Sequence, residues 1–358
     1  MAEVGFILSP HLDPGGTSRD SVEWANRFSM LGVRVTMLTL RAGGAFHRRL
    51  ASDVPYEELG LRGTFSGIPK LLVRLRRSPS AFVLTNCASS ACLVALFKAL
   101  GLFHGRLVFV ESVNPVQTIR SSGKSSLAYR IIRRRADAVV HLSHFAQALS
   151  LRLGMARQKS FYIPNIISSV QASSRPACLT GMRLLAVGRL DVVKGYDRLI
   201  AAMPAVISAF PKATLRICGG GDQHAILQAQ IKQLGLASKV KLIGHVDDVA
   251  QELSAADCFI MTSRFEGMPN ALIEAFAAGL PAVATPCGGS VRRLLVQLGA
   301  EKALINEGPD FPACLVAALR RIKSADTSWP SIHARFSEIH DNGRNFQSLA
   351  ELCLTRPS

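Results

Sequence analysis

The chain has 358 residues, of which 48% are hydrophobic and 19% are charged, and its formal net charge is +17. This length predicts two domains, and the hydrophobic content argues against extensive disorder. Aromatic residues make up only 6% of the chain and no zinc-ligand or RNA-binding motif occurs, so a nucleic-acid partner has little support. The eight cysteines form no C-x-x-C pair, which is typical of reduced thiols in the cytosol.

The first half of the chain alternates apolar runs of strand length with segments long enough to form helices. This order predicts an α/β domain with a parallel sheet. The apolar run at 91–103 is too short to span a bilayer and contains Lys98, and residues 4–10 lack the basic flank of an export signal. The strands predicted in this half lie at 4–10, 33–40, 81–86, 106–112 and 136–143.

Positive charge is concentrated in this first half. Residues 1–165 contain 22 Lys and Arg against 9 Asp and Glu, whereas residues 166–358 contain 20 against 16. Basic clusters lie at 74–77 and 130–135. Such a surface suits anionic lipid headgroups, because each cation near a membrane contributes about 1 kcal/mol. Generic solubilising charge is the alternative, and nucleic acid is a weaker one.

The second half repeats the α/β pattern. Residues 184–203 predict a buried strand, a polar turn and an amphipathic helix, with Arg189 and Lys194 on the turn. Two cations there could hold a diphosphate, Arg through its planar fork and Lys as a point charge, although such loops also carry cations without a ligand. Further strands are predicted within 213–223, where Gly219, Gly220 and Gly221 close the run, and within 240–249.

The most informative segment is 264–285. A strand at 257–263, a tight loop and a helix that starts near Pro269 place Glu266 and Glu274 on either side of a helix N-terminus. Met268 is a poor side-chain cap, so backbone N–H groups at this end are expected to be available to a phosphate. Glu274 lies in an otherwise apolar helix and therefore needs solvent or hydrogen-bond donors such as ribose hydroxyls.

These motifs resemble the signature of the family 4 glycosyltransferases, which are retaining enzymes with the GT-B fold. The resemblance covers most of the chain, is strongest over 184–285, and implies two Rossmann-like domains that face each other across a cleft. An I-P-N stretch places the domain boundary near Asn165. The residues that carry the likeness are Gly188, Arg189, Lys194 and Gly195 in a G-R-x-x-x-x-K-G pattern, and Glu266 and Glu274 in EGMPNALIEA.

The resemblance also implies roles for individual residues. Arg189 and Lys194 would hold the donor diphosphate and stabilise the leaving group, while Glu266 would contact the donor sugar and Glu274 the ribose. No resident metal or cofactor is expected, because cations and helix N-termini replace the metal in GT-B enzymes. The other residues expected on the donor side are Gly15, Gly16, Gly219, Gly220, Val246, Met268, Pro269 and Asn270.

Two positions depart from the pattern of the family. Where many relatives have a His on the acceptor side, this chain has Glu111 in ESVNP, which is similar to a subgroup that acts on lipid-diphosphate sugars; Glu111 could equally cap a helix. Arg292 and Arg293 stand where relatives often have a Glu after a glycine pair. The end of the donor pocket is therefore expected to differ from the family pattern.

Together these features predict a retaining glycosyltransferase that moves a sugar from a nucleoside-diphosphate donor to a lipid-linked acceptor in cell-surface polysaccharide biosynthesis. Residues 1–165 would form the acceptor and membrane side, residues 166–325 the donor domain, and residues 326–358 a helical segment that could pack back on the first domain. The protein is expected in the cytoplasm, bound peripherally to the inner face of the cell membrane. A nucleotide-sugar epimerase of the same fold and a non-catalytic nucleotide-sugar-binding protein are the alternatives.

Overall fold

The computed structural model divides into two compact units, Met1–Ile166 with Asp341–Ser358, and Ile167–His340. The segment predicted as a separate C-terminal element, 326–358, is thus divided between the units at residue 341. The structure describes residues 5–13, 15–60, 64–78, 81–112, 123–166, 182–246, 248–266, 268–287, 290–306, 308–323 and 329–355.

The first unit is built around a parallel sheet with strand order β3-β2-β1-β4-β5-β6-β7. Most of its strands are almost continuous apolar runs because both faces of the sheet are covered by helices. The strands are β1 (Gly5–Ser9), β2 (Val35–Thr39), β3 (Tyr56–Glu58), β4 (Phe82–Thr85), β5 (Arg106–Glu111), β6 (Ala138–His141) and β7 (Ser160–Tyr162).

Helices cover this sheet on both faces. Leu71, Val94 and Ile132, from three different helices, share one core with Phe6 of β1. The helices are α1 (Gly16–Met30), α2 (Ile68–Arg77), α3 (Ala88–Ala99), α4 (Gly123–Arg135) and α5 (His144–Arg152), together with the C-terminal helix α13 (Asn342–Leu354). Helices α2, α3 and α4 therefore pack on the same face of the sheet.

Helices α1 and α13 pack on the opposite face. Phe28 of α1 contacts both Phe82 of β4 and Phe346 of α13, with ring centroids 5.2 and 5.0 Å apart. Phe82 precedes Val83, which belongs to the core under α2, α3 and α4. Because successive side chains on a strand point to opposite faces, the two helix layers lie on opposite sides of the sheet.

The second unit has a parallel sheet with strand order β10-β9-β8-β11-β12. Its strands are β8 (Arg183–Val187), β9 (Thr214–Cys218), β10 (Val240–Gly244), β11 (Cys258–Met261) and β12 (Ala282–Ala284). Two hydrophobic cores cover its two faces. The helices are α6 (Tyr196–Ala209), α7 (His224–Gln233), α8 (Val249–Ala255), α9 (Asn270–Ala277), α10 (Ser290–Leu298), α11 (Phe311–Lys323) and α12 (Trp329–Ile339).

The predicted α/β class with two Rossmann-like units is confirmed, and every strand predicted from an apolar run is present. Strands β3, β7 and β12 were not predicted. Each is three residues long and lies at the edge of its sheet, so it carries too few residues for a hydrophobic pattern. Among the described residues, none of the helices combines the length and the apolar composition that a bilayer crossing requires.

Candidate active site

The loop after β8 carries the G-R-x-x-x-x-K-G motif and is shaped by a glycine and an aspartate. Gly195 has a φ of 66°, and a Cβ at this position would lie 2.2 Å from the carbonyl oxygen of Thr262. Asp191 caps the 3-10 helix Val192–Lys194 by accepting a hydrogen bond of 3.2 Å from the Lys194 backbone N–H. The loop can therefore lie directly against the loop that follows β11.

This approach brings Lys194 and Glu266 together, although they are 72 residues apart in the sequence. Lys194 Nζ lies 2.7 Å from Glu266 Oε1, and Ser263 Oγ donates to the same oxygen at 2.6 Å. The Glu266 side chain is 9% exposed and that of Lys194 is 25% exposed. The pair fixes a cation and a hydrogen-bond acceptor at the carboxyl edge of the sheet, where ligands of parallel α/β sheets bind.

Arg189 lies in the same loop but is held much more loosely. Its guanidinium lies 2.9 Å from Asp191 Oδ2, and the side chain is 78% exposed. An ion pair this exposed contributes little to stability, so the guanidinium can exchange Asp191 for an anionic ligand at little cost.

A set of hydrogen bonds that sequence reasoning missed holds the two loops in register. Arg198 donates to the carbonyl oxygens of Thr262 at 2.8 Å and Ser263 at 2.9 Å. Thr285 Oγ1 and Cys287 Sγ also donate to the Ser263 carbonyl, at 2.7 and 2.9 Å. The only signal in the sequence is the position of Arg198 one turn after the motif lysine.

A bidentate ion pair ties the same loops together nearer the surface. The Arg264 guanidinium lies 2.8 and 2.6 Å from the two carboxylate oxygens of Asp197, and it also donates to the Val192 carbonyl at 2.6 Å. Hydrogen bonds from Arg264 hold the pKa of the Asp197 carboxyl below its usual range. Behind the loop, burial, followed by the carboxylates of Glu266 and Asp191, raises the pKa of Tyr196, so this hydroxyl stays neutral.

The glycines after β9 have a structural explanation. A Cβ at Gly219 would lie 2.0 Å from the Gly188 carbonyl oxygen, and one at Gly221 would lie 2.4 Å from that of Leu190. These two glycines therefore allow the loops after β8 and β9 to pack together. A Cβ at Gly220 would meet nothing within 4 Å, so of the three only this position leaves open space beside the backbone.

The helix expected to receive an anion is α9, which begins at Asn270, one residue later than Pro269. No side chain among the described residues caps its N-terminus, and its first turn contains no acidic residue. Val246 and Met268 are partly buried, and their side chains pack against a hydrophobic core. Glu274 is only 3% exposed. The spacing of the two glutamates is thus not that of a solvent-exposed helix face.

In the first unit, the predicted residues lie at the carboxyl ends of β1 and β5. Gly15 precedes α1 and Gly16 begins it, and no described side chain caps the N-terminus of this helix. Glu111 ends β5, and its Oε2 lies 2.9 Å from Nδ1 of His141, its neighbour in register on β6. The two side chains are 3% and 0% exposed.

The Glu111 and His141 pair belongs to a small buried polar cluster. Tyr129 of α4 hydrogen-bonds to Ser150 of α5 at 2.9 Å and also to Glu111. Burial and the nearby Glu111 carboxylate raise the pKa of Tyr129. Nε2 of His141 has no hydrogen-bond partner among the described residues. Sequence reasoning missed His141 because it ends an apolar strand and belongs to no motif.

Two other expectations concern cysteines and metals. The cysteines of the described residues are free thiols. Within the described part of the chain, His, Cys, Asp and Glu side chains form no group of three or more that could hold a metal ion. Metal-independent activity remains a prediction. The two arginines that depart from the family pattern, Arg292 and Arg293, lie exposed in the first turn of α10.

Comparison with known proteins finds similarity to glycosyltransferases. Residues 181–324 match the family model described as glycosyl transferases group 1. An uncharacterised glycosyltransferase of Haemophilus influenzae is 26% identical over 313 residues, which are 82% of this chain and 84% of the relative. The Vi polysaccharide biosynthesis protein VipC/TviE of Salmonella typhi is 40% identical over 80 residues, which are 22% of this chain and 14% of that protein.

The fold also matches solved structures. HepE of Anabaena, crystallised in complex with UDP and glucose, has a TM-score of 0.80 at 19% identity, over 98% of each chain. The two-sheet architecture described above is thus shared by proteins whose sequences have diverged widely. Together, the matches indicate a glycosyltransferase with the GT-B fold, in which residues 181–324 are similar to the group 1 glycosyltransferases.

Proposed function

We propose that this enzyme is a retaining glycosyltransferase of the family 4 type that transfers a sugar from a nucleoside-diphosphate donor to an acceptor hydroxyl. The observation that carries the proposal is the contact of 2.7 Å between Lys194 and Glu266 at the carboxyl edge of the second sheet. It joins the two motifs of the sequence in one place. The same edge holds exposed Arg189 and the N-terminus of α9, which no described side chain caps.

Each of these groups suits one part of a nucleotide sugar. Lys194 and Arg189 would bind the diphosphate, and backbone N–H groups of α9 would add partial positive charge. Glu266, oriented by Lys194 and Ser263, would accept hydrogen bonds from the sugar hydroxyls. Glu274, buried in α9, would do the same for the ribose. HepE, which shares the fold, was crystallised with UDP, so a UDP-sugar is the first donor to test.

The proposed transfer breaks the bond between the anomeric carbon and the phosphate oxygen. The acceptor oxygen bonds to the same face of the anomeric carbon, and the proton of the acceptor hydroxyl passes to the departing phosphate oxygen. Negative charge builds on the diphosphate as the first bond lengthens, and fixed cations there lower the barrier. Lys194 and Arg189 would supply those cations, so no side-chain nucleophile is required.

The acceptor is proposed to be a lipid-linked glycan used in cell-surface polysaccharide biosynthesis. The local match to the Vi polysaccharide biosynthesis protein supports the polysaccharide role. Glu111 is the proposed acceptor-side group, because it lies at the carboxyl edge of the first sheet and is held in place by His141. An enzyme with such an acceptor would work in the cytoplasm at the inner face of the cell membrane.

A donor panel tests the proposal. The purified enzyme is incubated with UDP-, GDP- and ADP-sugars, and release of the nucleoside diphosphate is measured with wild type and with Lys194→Met, which keeps the length of the side chain but removes its charge. We expect release from one class of donor, loss of that release in the variant, and retention of the anomeric configuration in the product.

Other outcomes would contradict this proposal in identifiable ways. An inverted product would overturn the family 4 mechanism. Epimerised donor formed without an acceptor would indicate the epimerase, and tight donor binding without turnover would indicate a non-catalytic binding protein.

A further inference from the structure

The helices on one face of the first sheet carry a large excess of positive charge. From the sequence alone, this excess could be located only to the first half of the chain. Helices α2, α3 and α4 form this face, and their sequences contain ten Lys and Arg but no Asp or Glu. The helices on the opposite face are balanced. Helix α1 has two basic and two acidic residues, and α13 has one of each.

Most of these cations form no ion pair in the part of the chain that the structure describes. Arg74 pairs with Glu57 at 3.0 Å and Lys98 with Asp137 at 2.9 Å. The half-buried Arg133 lies 5.9 Å from the ring centroid of Tyr129. The exposed cations that form no ion pair in the described part of the chain are Lys70, Arg76, Arg77, Arg130, Arg134 and Arg135.

Aliphatic side chains lie exposed among these cations. On α4, Leu127, Arg130 and Arg134 follow a spacing of three and four residues, which places them on one outward stripe of the helix. The exposed aliphatic residues of the face are 43% to 63% exposed, and they are Val73 on α2, Leu96 on α3, Leu100 directly after α3, and Leu127 on α4. Exposed aliphatic groups among cations are the pattern of a surface that lies in a membrane interface.

We infer that the face formed by α2, α3 and α4, here called the basic face, docks on an anionic lipid bilayer. Its cations meet headgroup phosphates, and its aliphatic side chains enter the interface between headgroups and acyl chains. The exposed apolar residues are aliphatic, whereas a surface for single-stranded nucleic acid would present aromatic rings for stacking. The inference assigns the proposed membrane association to a defined surface, and it does not depend on the donor chemistry.

Vesicle sedimentation tests whether the basic face binds anionic lipid, with a matched control variant for comparison. The vesicles contain phosphatidylcholine alone or equal parts of phosphatidylcholine and phosphatidylglycerol. One variant combines Arg76→Glu, Arg130→Glu and Arg134→Glu. Its control combines Lys232→Glu, Lys302→Glu and Arg320→Glu, three exposed cations of the second unit, so both proteins have the same net charge. We expect partitioning to fall more than about tenfold in the first variant and far less in the control.

A second pair of variants tests the aliphatic contribution. Leu96→Ser, Leu100→Ser and Leu127→Ser are combined, and the control is Met30→Ser with Leu31→Ser, which changes exposed apolar residues at the C-terminal end of α1 on the opposite face. We expect a several-fold loss of binding in the first protein and none in the control. Added salt should release the wild type, because screening weakens its attraction to the anionic lipid.

The outcomes separate this inference from its rivals. Equal losses in both charge-reversed proteins would show that net charge rather than this face drives binding. Equal binding of wild type to both vesicle types, or binding to neither at low salt, would overturn the inference. Binding to single-stranded DNA that depends on the arginines but not on the leucines, without vesicle binding, would indicate nucleic acid. Nucleoside-diphosphate release from the donor is measured in every variant, so that failure of the transferase proposal is seen separately.

Discussion

The carboxyl edges of the two parallel sheets hold charge in different ways. At the second sheet, the cations reach solvent: Arg189 is 78% exposed beside Asp191 of the same loop, and Lys194, which pairs across loops with the buried Glu266, is 25% exposed. At the first sheet, Glu111 and His141 are almost completely buried and bond to each other. Exposed pairs can exchange partners with a charged ligand, whereas a buried pair holds its shape. The comparison supports the proposal that the second edge binds an anion and that the first positions a fixed polar group.

Removing the cations of the second edge should have the largest effect. We expect Arg189→Ala and Lys194→Ala each to lower transfer by about 10²-fold or more, because each removes charge stabilisation of the departing diphosphate. Arg189 is so exposed that its variant should keep the thermal stability of the wild type. Steady-state kinetics and thermal unfolding measure the two quantities.

A double variant distinguishes catalysis from local damage at the second edge. Lys194→Met leaves the Glu266 carboxylate without its cation, which could itself disturb the loop. Adding Glu266→Gln removes that unpaired charge. If the double variant recovered most of the lost transfer, Lys194 would serve the loop rather than the diphosphate.

The next effect concerns substrate affinity rather than the chemical step. Glu274 is buried in α9 and is proposed to bind the ribose both before and during the reaction. We therefore expect Glu274→Ala to raise the KM for the donor more than it lowers kcat. Calorimetry with the free nucleoside diphosphate provides the independent check. An unchanged affinity would remove Glu274 from the donor site.

The first edge should respond more weakly and only on the acceptor side. We expect Glu111→Gln and His141→Ala to lower transfer to the acceptor by about tenfold, which corresponds to the loss of one hydrogen bond of about 1.4 kcal/mol, while donor hydrolysis stays unchanged. His141→Asn, whose amide can replace the Nδ1–H donor, should restore part of the transfer. A loss of thermal stability in all variants with unaltered acceptor kinetics would make the cluster purely structural.

A second buried histidine sharpens the contrast with the paired His141. Nδ1 of His340 has no hydrogen-bond partner among the described residues, and burial lowers the pKa of His340 from 6.5 to about 4. Between these values the unfolded chain binds the proton and the folded chain does not, so stability is full above about pH 6.5 and declines as the pH falls toward 4. The expected loss at pH 5.5 is about 1 kcal/mol.

Thermal unfolding at pH 7.5 and 5.5 measures this loss. His340→Phe, which can keep the stacking on Phe336, should show a smaller decline between the two pH values than the wild type. An equal decline in both proteins would assign the pH dependence to other groups.

Much of the fold and of the proposed donor motif followed from the sequence, because buried strands are continuous apolar runs and because the motif residues lie on the loops and the helix start that follow two of these runs. The contact between Lys194 and Glu266 could not be predicted. It depends on β8 and β11 being neighbours in the sheet, which no local pattern encodes. Arg198 was missed for the same reason, since its partners follow β11 and not its own strand.

The first unit was predicted less completely. Its charge excess is visible in the composition, but the basic face emerges only once the topology places α2, α3 and α4 on one side of the sheet and α1 on the other. His141 could not be recognised in the sequence, because an apolar strand that ends in a histidine gives no sign of the carboxylate on the neighbouring strand.

The central claim is that Arg189 and Lys194 bind a nucleoside diphosphate at the carboxyl edge of the second sheet. Calorimetry tests it most directly, by comparing the affinity for the diphosphate of the nucleoside selected in the donor panel with the affinity for the nucleoside itself. The wild type should bind the diphosphate more tightly, and the Arg189→Ala/Lys194→Met variant should lose most of that advantage while still binding the nucleoside. An undiminished preference for the diphosphate in the variant would contradict the claim.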